Sequence, residues 1–72
     1  MTYELTVQEK TDLINTHLKN LEYNKYNLEL SLIEENSLEA PSSTVISSIN
    51  EQIENLSAKK SALLTELDEL TA

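Results

Sequence analysis

The strongest constraint on the fold is an unbroken alternation of three- and four-residue steps between residues 46 and 70. Seven of the eight positions that these steps reach are isoleucine or leucine: Ile46, Ile49, Ile53, Leu56, Lys60, Leu63, Leu67 and Leu70. This is the a/d pattern of a heptad repeat, which places apolar side chains in one stripe along a helix. The pattern predicts a helix whose stripe is covered by a second helix.

The first half of the chain predicts that second helix, at about residues 6–36. Thr6 and Glu9 have the spacing of a capping box, in which each side chain bonds the other residue's backbone N–H. Asn36 is the predicted stop, in a left-handed conformation. Apolar residues recur between these ends at helical spacing: Val7, Ile14, Leu18, Leu21, Leu28 and Leu32.

The connection between the helices is predicted at residues 37–42, where Pro41 lies among small and polar residues. The second helix is predicted at about 43–70, capped by Ser42 or Ser43, with Ser48 as a later alternative start. The chain has no glycine and no cysteine, which disfavours tight β-turns and excludes disulfides. We therefore predict an all-α fold, an antiparallel two-helix hairpin forming a short coiled coil, with residues 1–72 as one domain.

A register follows from the two stripes, because a residues face d residues in an antiparallel pair. With Leu32 opposite Ile49, every further layer keeps the same sum of residue numbers. The predicted layers are Leu28 with Ile53, Lys25 with Leu56, Leu21 with Lys60, Leu18 with Leu63, Ile14 with Leu67 and Thr11 with Leu70.

The two lysines in neighbouring layers, Lys25 and Lys60, are the most unusual residues of this stripe. One interpretation is that their stems pack on the facing leucines while the ammonium groups bend out to water. The other is that they are candidate specificity residues, since polar groups at such positions fix register and partner choice at a loss of stability.

A second apolar stripe lies at the b and f positions of the first helix, away from the predicted contact. It consists of Tyr23, Tyr26, Leu30 and Ile33. The second helix cannot cover both stripes, so these residues are either scattered surface residues or a candidate interface. Tyrosine suits an interface because its ring is buried while its hydroxyl stays solvated. We expect a homo-oligomer, a dimer of hairpins in a helical bundle, with another protein as a further candidate partner.

No pattern in the sequence predicts catalysis or a cofactor. His17 is the one histidine, it lacks the further ligands of a metal site, and the register brings it near Glu66. Glycine-rich nucleotide loops and oxygen-rich calcium loops are excluded by composition. We therefore expect a protein that is not an enzyme and needs no metal or cofactor.

The net charge of −8, from 13 acidic residues and five lysines, argues against binding nucleic acid or anionic membranes. No stretch is apolar enough for a membrane span and no targeting segment is recognisable, so we expect a cytoplasmic protein, or one within a particle assembled there. The predicted function is a self-associating protein–protein interaction module, such as an adaptor or assembly factor. The alternative is an acidic inhibitor that occupies the nucleic-acid-binding surface of a basic protein.

Overall fold

The computed structural model describes residues 3–72, which form two α-helices folded back on each other. Helix α1 spans Val7–Asn36 and helix α2 spans Ser43–Thr71. The molecule is a rod with extents of 61 × 18 × 15 Å. The prediction of an all-α helical hairpin is confirmed, while the assembly of hairpins into a bundle stays a prediction. Met1 and Thr2 of the predicted domain lie outside the described residues.

Helix α1 begins with the predicted capping box. The Thr6 hydroxyl accepts a hydrogen bond from the Glu9 backbone N–H at 3.1 Å. The Thr6 backbone N–H donates to the Glu9 Oε1 atom at 3.0 Å. These two bonds satisfy backbone donors that the helix leaves free at its start, and the bonds from Thr6 lower the pKa of the Glu9 carboxyl.

The end of α1 differs from the prediction, because Asn36 does not adopt a left-handed conformation. No residue in 3–72 has a positive φ angle. The chain stays right-handed at Ser37, whose backbone N–H donates to the carbonyls of Ile33 and Glu34. The Ser37 hydroxyl also donates to the Glu34 carbonyl at 2.6 Å. The Leu38 backbone N–H donates to the Glu35 carbonyl at 3.2 Å. Hydrogen bonds from Ser37 and Leu38 therefore satisfy carbonyls at the end of the helix without a left-handed residue.

Helix α2 begins at the first of its predicted starts. The Ser42 hydroxyl accepts a hydrogen bond from the Val45 backbone N–H at 3.3 Å. The Ser42 backbone N–H in turn donates to Glu35 Oε1 at 2.8 Å, which ties the connection to the last turn of α1. Because α2 already runs from Ser43, the later start at Ser48 is not used.

The core is the strip between the two helices, which we call the seam. Its most buried side chains are Ile14, 9% exposed, and Ile49, 7% exposed. Every predicted seam position of α2 is buried or half-buried, and so are Thr11, Leu18, Leu21, Lys25, Leu28 and Leu32 of α1. Val7 is an exception at 54% exposed, because in this register α2 ends before it reaches the opposite position. The seam therefore starts near Thr11.

Candidate interaction surface

The back of α1, the side that points away from α2, carries an exposed apolar surface. Tyr23 is 71% exposed, Tyr26 62%, Leu30 39% and Ile33 65%. We call these four residues the tyrosine face. Their b and f positions place them together on one side of α1, and α2 packs against the other side. The structure thus leaves the predicted interface residues open to solvent, and their role in binding stays a prediction.

Charged and amide side chains surround the tyrosine face. Lys19 precedes it along α1 and Glu34 follows it, and both are exposed. Glu29 lies on its border towards α2 and is half-buried, while Asn27 lies on the opposite border. An apolar patch within a polar border is typical of a protein-binding surface.

The back of α2 has no comparable surface. Its b and f positions are exposed and hold no large apolar residue: Thr44, Ser47, Glu51, Glu54, Ala58, Ser61, Thr65 and Asp68. The two helices therefore share an apolar seam, but only α1 has an apolar back.

The seam contains a polar cluster near its middle. The Lys60 ammonium donates a hydrogen bond to Glu22 Oε1 at 2.7 Å, and this is the only ion pair among residues 3–72. The hydrogen bond and the charge of Lys60 lower the pKa of the Glu22 carboxyl, and the charge of Lys25 adds to this effect. The two paired side chains are 45% and 51% exposed, so the ammonium of this seam lysine reaches a partner at the rim.

Sequence reasoning missed this partner within the same chain. Glu22 occupies an e position, directly beside the seam, and that position was the available signal. Lys25 and Lys60 line one cavity of about 210 Å³, together with Leu21, Glu22, Leu56, Ser57, Ser61 and Leu64. The structure thus brings the two predicted specificity residues together, in the layers where the register places them.

A second cavity lies nearer the open end of the hairpin. Its volume is about 260 Å³, and it is lined by Lys10, Leu13, Ile14, His17, Leu63, Glu66 and Leu70. His17 and Glu66 therefore line the same cavity, on the side of the seam where the register places them, and no ion pair joins them. The cavity lies against the seam and adds no chemical group beyond these three ionisable side chains.

Neither a metal centre nor a membrane span is found in the described part of the chain. No three His, Cys, Asp or Glu side chains of residues 3–72 are grouped so that they could hold a metal ion. Neither α1 nor α2 combines the length and the apolar character that crossing a membrane requires.

Comparison with known proteins gives no relative, since no protein-family model, no curated protein and no solved structure matches the chain. The tyrosine face and the seam are therefore the features from which a function is argued.

Proposed function

We propose that the hairpin is a non-enzymatic protein–protein interaction module that binds a second copy of itself through the tyrosine face. The observation that carries this proposal is the exposure of Tyr23, Tyr26 and Ile33, each above 60%, on the back of α1. A two-helix chain has a thin core, and covering a further apolar stripe stabilises it. Tyrosine is enriched at interfaces because it buries a large ring and keeps its hydroxyl solvated.

The size of the tyrosine face is near the lower limit for a specific interface. Full coverage would bury roughly 1,000 Å² over two copies, taking about 200 Å² for each large side chain and scaling by the exposed fractions. Interfaces with a biological role usually bury at least about 1,000 Å². The estimate supports a dimer of modest affinity.

A two-fold antiparallel arrangement fits the order of residues along the tyrosine face. With two α1 helices side by side, Tyr23 lies opposite Ile33 of the second copy and Tyr26 lies opposite Leu30. Such a contact uses the same surface on both copies and closes after two. Lys19 and Glu34, of opposite charge, flank the two ends of the face, so each comes near the other in the second copy. This complementarity favours the antiparallel orientation.

The polar back of α2 supports the same arrangement. In the proposed dimer the two α1 helices meet in the middle and the two α2 helices lie outside, with their polar backs in water. The four helices then have every large apolar stripe covered, and assembly stops at two copies.

The proposal is tested by sedimentation equilibrium at micromolar concentration. The parent chain should have twice the chain mass of 8.1 kDa. The variant Leu30→Glu with Ile33→Glu should be a monomer, because two carboxylates per copy would be buried against apolar groups. Circular dichroism should show that its helicity is unchanged.

The matched control is Ala58→Glu with Thr65→Glu on the polar back of α2. It adds the same charge to the chain and should remain a dimer. A parent chain that is monomeric at high concentration would contradict self-association, and so would a control variant that dissociates as readily as the tyrosine-face variant.

The net charge of −8 favours a second candidate, an acidic inhibitor that occupies a basic partner's nucleic-acid-binding surface. Binding of that kind should weaken sharply as salt rises, because exposed charges are screened beyond about 10 Å at 0.1 M. A tyrosine–aliphatic contact should persist in salt. The acidic residues lie on both helices without forming one strip, which supports the first candidate.

For both candidate functions we place the protein in the cytoplasm, or in a particle assembled there, and imaging of a tagged chain tests this.

A further inference from the structure

The contact between Glu22 and Lys60 has a property that no other side-chain contact of the hairpin shares. It is the only side-chain hydrogen bond within residues 3–72 that joins a residue of α1 to a residue of α2. Apart from the bond from the Ser42 backbone N–H to Glu35 at the closed end of the hairpin, the other contacts across the seam are mainly apolar packing, which is not directional. Away from the connection, the polar cluster is therefore the seam contact whose geometry depends most strongly on how the helices are aligned.

Apolar packing alone does not distinguish the observed alignment from one shifted by a heptad. If α2 slides so that Ile53 faces Leu21 instead of Leu28, the layers still pair apolar residues: Leu28 with Ile46, Leu21 with Ile53, Leu18 with Leu56 and Val7 with Leu67. The observed alignment has the same number of fully apolar layers: Leu32 with Ile49, Leu28 with Ile53, Leu18 with Leu63 and Ile14 with Leu67. The shift lengthens the connection between the helices, and loop closure depends weakly on length. It also moves Ser42 away from Glu35, so the bond between them at the closed end is lost.

The polar residues favour the observed alignment over the shifted one. In the shifted alignment Lys60 lies beside Asn15, which carries no charge, and Glu22 is left without its partner. Lys25 then faces Ile49, so the two lysines no longer share one region of the seam. Of these two alignments, the observed one alone offers Lys60 a carboxylate.

A shift in the opposite direction is excluded by the connection between the helices. There Lys60 would lie beside Glu29 and would keep an ion pair. However, α1 would have to continue through Pro41 to pack against α2, and proline breaks a helix interior because it lacks an N–H and clashes with the preceding turn. The Ser42 cap of α2 would also be lost.

We infer that the pair of Glu22 and Lys60 selects the alignment in which the hairpin closes, against a slide of one heptad that the apolar seam tolerates. Pro41 and the Ser42 cap exclude the opposite slide. Lys60 and Glu22 are thus specificity-determining residues of the fold, and this assignment holds whether or not the tyrosine face binds a second copy.

The test moves the carboxylate by one heptad. The exchange variant Asn15→Glu with Glu22→Asn keeps the composition and net charge, and gives the shifted alignment the ion pair that the observed one loses.

Two cysteine pairs report the alignment in a chain that has no cysteine of its own. Leu28→Cys with Ile53→Cys reports the observed alignment, and Leu21→Cys with Ile53→Cys reports the shifted one. The quantity measured is the fraction of intramolecular disulfide at low protein concentration in a glutathione buffer.

In the parent, the Leu28–Ile53 reporter should form the disulfide and the Leu21–Ile53 reporter should not. An exposed ion pair changes a two-state ratio by up to about fivefold, and the exchange removes it from one alignment and adds it to the other. The ratio of shifted to observed linkage should therefore rise in the exchange variant, by up to about 25-fold. The control Glu29→Asn with Asn36→Glu moves a carboxylate between the same heptad positions away from Lys60, and should leave the ratio unchanged.

An unchanged ratio in the exchange variant would overturn the inference, and so would an equal rise in the control. Loss of helicity in the exchange variant would also overturn it, because the pair would then be required for folding and not for alignment. Efficient linkage of Leu21 with Ile53 in the parent would show that the parent does not close in a single alignment.

Discussion

Helix α1 has two apolar surfaces on opposite sides, and they differ in what covers them and in the polar groups they contain. The seam side is covered by α2 along the length of the hairpin, and its apolar stripe is interrupted by Lys25. The tyrosine face is shorter, contains no charge and is exposed. The only polar atoms among its side chains are two tyrosine hydroxyls.

The difference indicates that the two surfaces control different properties. A polar cluster inside an apolar seam reduces stability and adds geometric specificity, so the seam should determine how firmly and in which alignment the hairpin closes. An exposed apolar face adds little to the stability of a single hairpin, because it is not covered there. The tyrosine face should instead determine how many hairpins associate. Changes in the seam should therefore alter melting temperature and alignment, whereas changes on the tyrosine face should alter mass.

The largest expected effect comes from giving α2 a tyrosine face of its own. The variant Glu51→Tyr, Glu54→Tyr, Ala58→Leu and Ser61→Ile repeats the pattern of α1 at the same heptad positions on the back of α2. Each chain would then present two apolar faces in different directions, and such contacts do not close after two copies. Light scattering should show assemblies well above the dimer mass.

Its control places Ser, Thr, Asn and Gln at those four positions of α2, which removes two charges without adding an apolar face. The control should keep the mass of the parent. If the grafted variant also keeps the parent's mass, a tyrosine–aliphatic pattern is not sufficient for association. The tyrosine face would then not explain how hairpins associate.

A smaller effect is expected from completing the seam with Lys25→Leu and Lys60→Leu. A fully buried leucine contributes about 1.5–3 kcal/mol over an exposed one, and the lysine stems already recover part of this. Since 1 kcal/mol shifts the Tm of a small domain by roughly 4–8 °C, we expect a rise of about 5–15 °C. The mass should stay that of the parent, while the two cysteine reporters should show mixed alignments.

A change of mass in this variant would mean that the seam also controls how many hairpins associate, and not the tyrosine face alone. A lower Tm would mean that the ion pair with Glu22 contributes more than two leucines would, and that the lysines are retained for stability.

The smallest effect is expected for Glu22→Gln, and it depends on pH. The pKa of Glu22 is lowered in the folded chain by the hydrogen bond from Lys60. A carboxyl with a lowered folded pKa adds stability above its unfolded pKa, about 4.3 for glutamate, and loses it as pH falls through the folded value. The parent should therefore melt above Glu22→Gln at pH 7, and this difference should shrink as pH falls below the unfolded pKa and vanish once pH is below the lowered folded pKa.

The control for this prediction is Glu29→Gln, a change at the same heptad position one repeat away, which removes a carboxylate that makes no ion pair and should not lower the Tm at pH 7. Because Glu9 and its capping box are present in all three chains, their titration cancels from the comparison. A Tm difference for Glu22→Gln that persists unchanged into acid would rule out the ion pair as its source.

The spacing of apolar residues was enough to predict the hairpin, because a heptad stripe requires a facing helix and the chain offers only one. The seam positions of α2, the capping box at Thr6 and the connection around Pro41 follow directly from residue type and spacing. The exposure of the tyrosine face follows as well, since one helix cannot cover two opposite sides of another.

Spacing did not predict the features that depend on side-chain reach and local hydrogen bonding. Glu22 as the partner of Lys60 depends on how a long side chain bends from the seam to its rim. The end of α1 depends on Ser37 and Leu38, whose hydrogen bonds to carbonyls of the last turn make a left-handed Asn36 unnecessary. Both are contacts of single atoms, to which hydrophobic periodicity is insensitive.

Intermolecular NOEs test whether two copies of α1 meet through the tyrosine face. A mixture of ¹³C-labelled and unlabelled chains allows contacts between copies to be separated from contacts within one. We predict NOEs from the ring protons of Tyr26 in one copy to the Leu30 methyl groups of the other, and likewise from Tyr23 to Ile33. The proposed dimer would be contradicted if intermolecular NOEs came only from the back of α2. It would also be contradicted if no intermolecular NOEs appeared at concentrations well above the micromolar range.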